Sequence, residues 1–385
     1  VLLAALSIST IGDEITLITL LFRSAGDHGA FAVPMLLIAE LVPGMLAAPY
    51  IGRLTDRRDA GVLIIATSLV QAAVVAWLAF NPGIAATVAG AAMLGLLFTI
   101  SGTATFALIP ILAQRLGLSL ARANAGMEVI RSGGMLVGPV IGGLLVSWGG
   151  TGNALLIDAA SFAILAAVIC ASGLSRHVEP DRGADTPTLL TDYLPLLRDR
   201  RIIVMVGALT LEVLSTAIAD VAFVFLVTVS LRASATALGI LTACWAVGMI
   251  VGASVAGPIA DKRPANAAFA TAAIMGATML AIGIMPIVKL SGLFGVGGAF
   301  IMGGAANSVH NVSVRTMLQR EAPADAHGKV AAIYLTATRT ATIIGFLIGG
   351  LFVPGSAYTA YLLGGALAII AGGAGWWLFR MVHSR

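Results

Sequence analysis

"GRLTDRRDAG", residues 52–61, gathers three arginines and two aspartates between two long apolar runs. The rest of the chain is nearly bare of charge: of its 385 residues, 59% are hydrophobic and 10% are charged. A soluble domain carries about 25% charged residues. Apolar stretches of about 18 or more residues recur along the whole length, which marks an integral membrane protein. In lipid the backbone must close its own hydrogen bonds, so only helices and barrels qualify. Barrel strands alternate apolar and polar residues over about 10 positions. These runs are continuous and about twice that length, so an all-α membrane protein is predicted.

Working outward from residue 52, twelve spans are read: 1–22, 31–51, 62–80, 84–113, 124–148, 153–173, 202–230, 236–257, 265–287, 291–317, 328–352 and 358–380. The first has the apolarity of a signal peptide but carries Asp13 and Glu14 in its middle, so a retained helix is expected. The connection 174–201 is the long polar one, rich in Pro, Asp and Arg, with room for one short amphipathic helix. The expected organisation is therefore a six-helix bundle over 1–173, a linker over 174–201 and a second six-helix bundle over 202–385.

The cations set the orientation. The connections after every second span, together with the C-terminal tail, hold 17 of the 22 lysines and arginines. The opposite connections hold Arg23, Arg232 and Lys289, while Arg131 and Arg339 fall inside spans. Both termini and the linker are thus expected on the cytoplasmic side of a bacterial inner membrane. The net charge of +4 is a signal of topology and gives no reason to expect nucleic acid as a partner. Cys170 and Cys244 both lie in apolar runs, which argues against a disulfide framework or a CxxC metal site and reads as small core residues.

The opening stretch has an echo. "GRLTDRR" (52–58) follows the second span, and "GPIADKR" (257–263) follows the eighth. "AQRLG" (113–117) has its counterpart in "LQREA" (318–322). Gly134, Gly138 and Gly142 in the fifth span match Ala341, Gly345 and Gly349 in the eleventh. Such spacing is what a duplication leaves, and six spans per copy make the repeats parallel, related by a pseudo-twofold axis.

On these residues the chain resembles the major facilitator superfamily of secondary transporters over its whole length. The resemblance implies a fold of two six-helix bundles. The family's loop signature, roughly G-x-L-A-D-R-x-G-R-R, is matched at Gly52, Leu54, Asp56 and Arg57, with Thr55, Asp59, Ala60 and Gly61 departing from it. The second copy matches at Gly257, Ala260, Asp261 and Lys262. These loops are expected to latch the two bundles on the cytoplasmic side. "GGMLVGPVIGG" (133–143) is similar to the antiporter signature of drug exporters, carried by Gly134, Gly138, Pro139, Gly142 and Gly143. Glycines four apart give a flat stripe on which another helix packs closely, and Pro139 removes one backbone hydrogen bond. The surrounding segment resembles the branch of macrolide-efflux and enterobactin-exporter proteins.

Ionisable residues inside a membrane are functional candidates by default. Asp13 precedes Arg23 by ten residues, about 15 Å along a helix, so it sits near mid-membrane. Asp220 lies at similar depth in the seventh span, Glu40 in the second, and Arg131 and Arg339 in the fifth and eleventh. A carboxylate whose arginine partner comes and goes binds and releases a proton. Asp13 is the first choice for that role and Glu14 the second. Arg131 follows Glu128 by three positions, which suits a pair on one face. In this superfamily the first, fourth, seventh and tenth helices line the cavity. That implies Thr16, Phe98, Phe106, Phe223, Asn307 and His310 around an amphiphilic, largely apolar substrate.

The reading is of a proton-coupled antiporter that exports drug-like or siderophore-like small molecules by alternating access, acting as a monomer with protons and membrane lipid as its other partners. An uptake symporter, or a receptor or lipid-handling protein without coupled transport, are the alternatives. No enzymatic pattern, cofactor site or metal site is expected, and the absence of a GxxxxGK[ST] loop argues against an ATP-driven pump.

Overall fold

The computed structural model describes residues 2–27, 31–115, 117, 120–173, 194–288, 292–321, 327–352 and 357–383. Among them every regular element is helical. The first four helices are α1 (Leu2–Asp27), α2 (Ala32–Arg57), α3 (Ala60–Phe80) and α4 (Ile84–Arg115). The run Leu120–Ser172 breaks at Gly150, whose φ of 76° lies in the left-handed region that glycine adopts freely. The break separates α5 (120–149) from α6 (151–172), so the expected fifth and sixth spans meet with almost no connection. Then follow α7 (Arg200–Phe225), α8 (Ala235–Lys262), α9 (Pro264–Ile284), α10 (Leu293–Glu321), α11 (His327–Leu351) and α12 (Ala357–His383). That makes twelve helices, as the sequence predicts. α7 closes in a wide π turn over Leu226–Ser230.

Nine helical runs among the described residues are long and apolar enough to cross a membrane, with α5 and α6 together counting as one. α2 falls short because its apolar part spans only Ala32–Ala48. α10 falls short because Asn307, His310, Asn311 and Arg315 interrupt it.

The opening stretch is more helical than expected. α2 continues through Gly52 and Leu54 to Arg57, and the turn is only Arg58 and Asp59. Arg58 N–H donates to Leu54 O at 3.0 Å, and Asp59 caps α3 by accepting from Val62 N–H at 3.0 Å. α8 likewise runs past Gly257 and Pro258 to Lys262, and Pro264 opens α9 where its missing N–H costs nothing. The paired motif therefore forms the last turns of two helices.

The chain divides into two compact units: residues 1–183 with 233–243, and residues 184–232 with 244–385. In the first, α1 packs on α5, α2 on α4, and α3 on α4. Ala5, Ala60, Ile64, Ala104, Leu108, Leu165 and Ile169 form a core where α1, α3, α4 and α6 meet. Two arginines tie its helices. Arg23, buried near the end of α1, donates to Leu78 O at 3.1 Å and Asn81 O at 3.4 Å, at the C-terminus of α3. Arg115, at the end of α4, donates to Ser172 O at 3.1 Å and Gly173 O at 3.2 Å, at the end of α6. A guanidinium satisfies last-turn carbonyls and suits the negative end of the helix dipole. Arg23 is thus a buried cap, not the free loop cation that the sequence suggests.

In the second unit, Leu196, Ile202, Met205, Phe269, Val314, Met317 and Phe379 build a core on α7, α9, α10 and α12. Leu196 belongs to a short 3₁₀ turn, Leu196–Arg198, the described part of the linker's end. The first unit's close crossings reappear here. In α2–α4, a Cβ on Gly44 would lie 3.0 Å from Gly95 O; in α8–α10, one on Gly252 would lie 2.8 Å from Ala305 Cα. Helices in lipid approach this closely because small residues let backbones touch. Large apolar side chains such as Trp148 and Phe294 stay exposed, as a lipid-facing surface requires. Cys170 is exposed and Cys244 half-buried, so neither is the core residue that the sequence suggests.

Candidate functional site

A cavity of about 770 Å³ lies within the first unit. α1 turns one stripe to it, Leu6, Thr10, Asp13 and Leu17, with Ser9 and Glu14 alongside, at the spacing that keeps residues on one helical face. Glu40 enters from α2, Ser68 and Gln71 from α3, Phe98 and Ser101 from α4, Arg131 from α5 and Phe162 from α6. Phe98 and Phe162 stand with ring centroids 6.2 Å apart and form an aromatic wall.

The sequence-predicted residues Asp13, Glu14, Glu40 and Arg131 come together here. Glu14 has Arg131 as its charged neighbour, and Asp13 has Asp158, Glu14 and Glu40. Three carboxyls and one guanidinium therefore share the wall. In a medium of low dielectric such an excess of acid calls for a proton or another cation. Among the described residues, three buried polar atoms on this wall have no hydrogen-bond partner: Asp13 Oδ1, Ser68 Oγ and Gln71 Nε2. Two other hydroxyls here are spent within their own helices: Thr10 donates to Leu6 O at 2.8 Å and Ser101 to Phe98 O at 3.3 Å. Sequence reading missed Ser68 and Gln71. Their signal was present, as two polar residues three apart in the middle of an apolar span.

Thr16 is placed elsewhere. It is buried and donates to Asp158 Oδ2, while Ser161 Oγ donates to Asp158 Oδ1 at 2.8 Å. Its hydroxyl is committed to a buried carboxylate and does not line the cavity, a correction to its expected role. Gly12 makes room for this cluster, since a Cβ there would collide with Asp158 Oδ1.

The antiporter glycines form the seam between α1 and α5. A Cβ on Gly138 would lie 2.9 Å from Ile11 O, and one on Gly142 would lie 3.0 Å from Ile15 Cα. Gly134 abuts Thr10 in the same way. Gly143 instead faces Ala235 O, and Pro139 O faces Gly239, both on the first turns of α8. Ser147 Oγ and Thr236 Oγ1 share a hydrogen bond of 2.9 Å beside them. The second unit repeats the seam: a Cβ on Gly345 would lie 2.7 Å from Leu214 O, and one on Gly349 would lie 2.9 Å from Ile218 O, both on α7.

Asp220, Arg339, Phe223, Asn307 and His310 belong to the second unit, and the cavity's lining does not include them. Asp220 and Arg339 are exposed on α7 and α11. Phe223 packs on Phe300 with centroids 4.8 Å apart, and Asn307 Oδ1 accepts from Asn311 Nδ2 at 3.0 Å. His310, expected in the cavity, is buried, with Nε2 3.4 Å from Glu212 Oε2. Of the paired motif, Leu54, Gly257, Asp261 and Lys262 are exposed. The side chains of Asp56, Arg57, Phe106 and Glu128, and the surroundings of Gly52, lie outside what is described. Among the described residues no group of three or more His, Cys, Asp or Glu is placed to hold a metal ion.

A family model described as Major Facilitator Superfamily matches residues 2–337. The chain is 26% identical over 393 residues to an uncharacterised MFS-type transporter, y4rN, of Sinorhizobium fredii, covering 96% of this chain and 92% of that one. It is 27% identical over 332 residues to the multidrug efflux pump Tap of Mycolicibacterium fortuitum, covering 82% of this chain and 77% of that one. Among solved structures, a bacterial homologue of the iron transporter ferroportin, in an inward-facing state, has the same fold. Its TM-score is 0.72 at 16% identity, over 100% of this chain and 98% of that one.

Proposed function

The chain belongs to the Major Facilitator Superfamily, and from that premise, a multi-pass membrane transporter and not an enzyme, we propose that it exports amphiphilic small molecules in exchange for protons. The observation that carries this reading is the carboxyl-rich cavity of the first unit, with Asp13, Glu14 and Glu40 facing an aromatic wall. Its likeness to pumps named for multidrug efflux supports the direction of transport.

The apolar walls take the body of the substrate, and the acids take either a proton or the substrate's polar end. Asp13 is the exchange point, since Oδ1 is buried on the cavity wall with no hydrogen bond among the described residues. A proton arriving from outside neutralises Asp13 and releases substrate there. Loss of that proton to the inside readies the carboxylate again. Arg131, the charged neighbour of Glu14, holds that second acid ready while Asp13 cycles. The two units swing to open the site to either side in turn. The protein works in the bacterial cytoplasmic membrane with both termini inside, as the placement of its cations supports.

The test is transport in everted vesicles, with dissipation of an imposed pH gradient as the readout over a panel of hydrophobic cations and siderophores. Asp13→Asn keeps the shape and removes the titrating group. It is expected to lower gradient-driven export by about tenfold or more while leaving folded yield unchanged. Accumulation at the wild-type rate in that variant would remove Asp13 from the coupling step.

A further inference from the structure

A second ionisable pair lies in the other unit. Glu212 on α7 and His310 on α10 are each only 4% exposed in their side chains, and His310 Nε2 lies 3.4 Å from Glu212 Oε2. The other imidazole nitrogen decides what this contact is. His310 Nδ1 lies 2.9 Å from the carbonyl oxygen of Ala268 on α9. A carbonyl only accepts, so Nδ1 must donate and therefore carries a proton. Thr271 Oγ1, 3.4 Å from Nδ1, agrees: its own hydrogen goes to Ala267 O at 2.6 Å, so towards the imidazole it also accepts.

With Nδ1 protonated, a neutral imidazole presents a bare lone pair at Nε2. That lone pair faces a carboxylate, and two acceptors at this separation repel. The contact becomes attractive when one further proton lies between them, as imidazolium against carboxylate or as neutral imidazole against carboxylic acid. Both forms leave the pair without net charge, and an interior that excludes water favours that state over a lone buried anion.

We propose that Glu212 and His310 form a proton-binding site inside the second unit, one proton being held between Oε2 and Nε2. The groups around it fit. Asp220 on α7 and Tyr334 on α11 interact electrostatically with Glu212. Asp220, where it is ionised, adds negative charge that strengthens the hold on a proton. Arg315 on α10 acts on Tyr334 and is exposed. α9 contributes the acceptors at Ala268 and Thr271. Among the described residues, the imidazole is the one cationic group within 4.0 Å of the Glu212 carboxyl. The pair binds a proton as a unit, so the charge belongs to the pair and not to either residue.

The experiment uses the full chain in lipid bilayers with no substrate present, so it reads this site independently of the export reading. Histidine labelled with ¹⁵N reports the protonation of both ring nitrogens, and difference infrared spectroscopy reports the carboxyl. The chain has five histidines, and His310→Gln assigns the relevant signal. Should that variant fail to fold, the histidine whose signal does not move between about pH 6 and about pH 8 takes its place. At about pH 8, above the ordinary titration of both groups, the wild type is expected to show a doubly protonated His310 or an un-ionised Glu212. In Glu212→Gln the amide N–H donates to Nε2, no extra proton is needed, and His310 becomes neutral with its proton on Nδ1. Asp13→Asn leaves these spectra unchanged. A neutral His310 facing an ionised Glu212 in the wild type at about pH 8 overturns the proposal, as does an imidazolium that survives in Glu212→Gln.

Discussion

Asp13 and Asp158 are neighbouring buried acids with different surroundings. Asp158 is held by Thr16 and Ser161 and covered by Gly12, whereas Asp13 has an oxygen without a partner among the described residues. A carboxylate satisfied by two hydroxyls is structural, so Asp158→Asn is expected to lower thermal stability while leaving the pH profile of transport in place. Gly12→Ala drives a methyl group into Asp158 and is expected to cost about 1–3 kcal/mol, as overpacking does, read as a lower midpoint in thermal unfolding of the purified protein. Asp13 and Glu14 were legible in the sequence because a charge inside an apolar run is costly wherever the helix faces. Thr16 was misplaced because helical periodicity gives a face but not what that face meets. The pairing of Glu212 with His310 was hidden because it joins two helices distant in sequence through a contact set by tertiary packing.

Glycine has two separable effects on α5. Gly133 has open space around its missing side chain, whereas Gly134, Gly138 and Gly142 touch α1. Gly133→Ala is therefore expected to be neutral or slightly stabilising, since alanine favours a helix over glycine by about 1 kcal/mol. Gly138→Ala pushes against Ile11 O and the Glu14 side chain, so it moves a cavity acid as well as the seam. Its transport rate is expected to fall several-fold, with the two variants compared at equal folded yield in the same vesicles. The helices themselves were readable from hydropathy, but their ends were not. Charge at 52–61 and 257–263 suggested loops, whereas α2 runs on to Arg57 and α8 to Lys262, because charged residues do not by themselves end a helix. The junction at Gly150 was also invisible in length, since one left-handed residue does the work of a loop.

Across the whole chain, the repeated seams on α1–α5 and α7–α11, and the repeated crossings α2–α4 and α8–α10, show the duplication that short motifs had announced. The bias in lysine and arginine leads to an expected set of sides, and labelling tests it. With Cys170 and Cys244 replaced, Gly83→Cys, which occupies an exposed position between α3 and α4, is expected to react with a membrane-impermeant maleimide in intact cells. Asp261→Cys, at the exposed end of α8, is expected to react only in everted vesicles. The reverse pattern would place the termini outside.

Arg23 binds the end of α1 to the end of α3, and Arg115 binds the end of α4 to the end of α6. Because successive helices run in opposite directions, the two ties sit at opposite ends of the same unit. Sliding α1 along α3 would strip a buried guanidinium of its carbonyls, at a cost of about 1.5–3 kcal/mol for each charged hydrogen bond lost. Helix-by-helix slippage is thereby discouraged at both rims. Whatever displacement accompanies the passage of a solute, these four helices are geared to travel as one solid piece, and the compliance has to be found elsewhere in the chain.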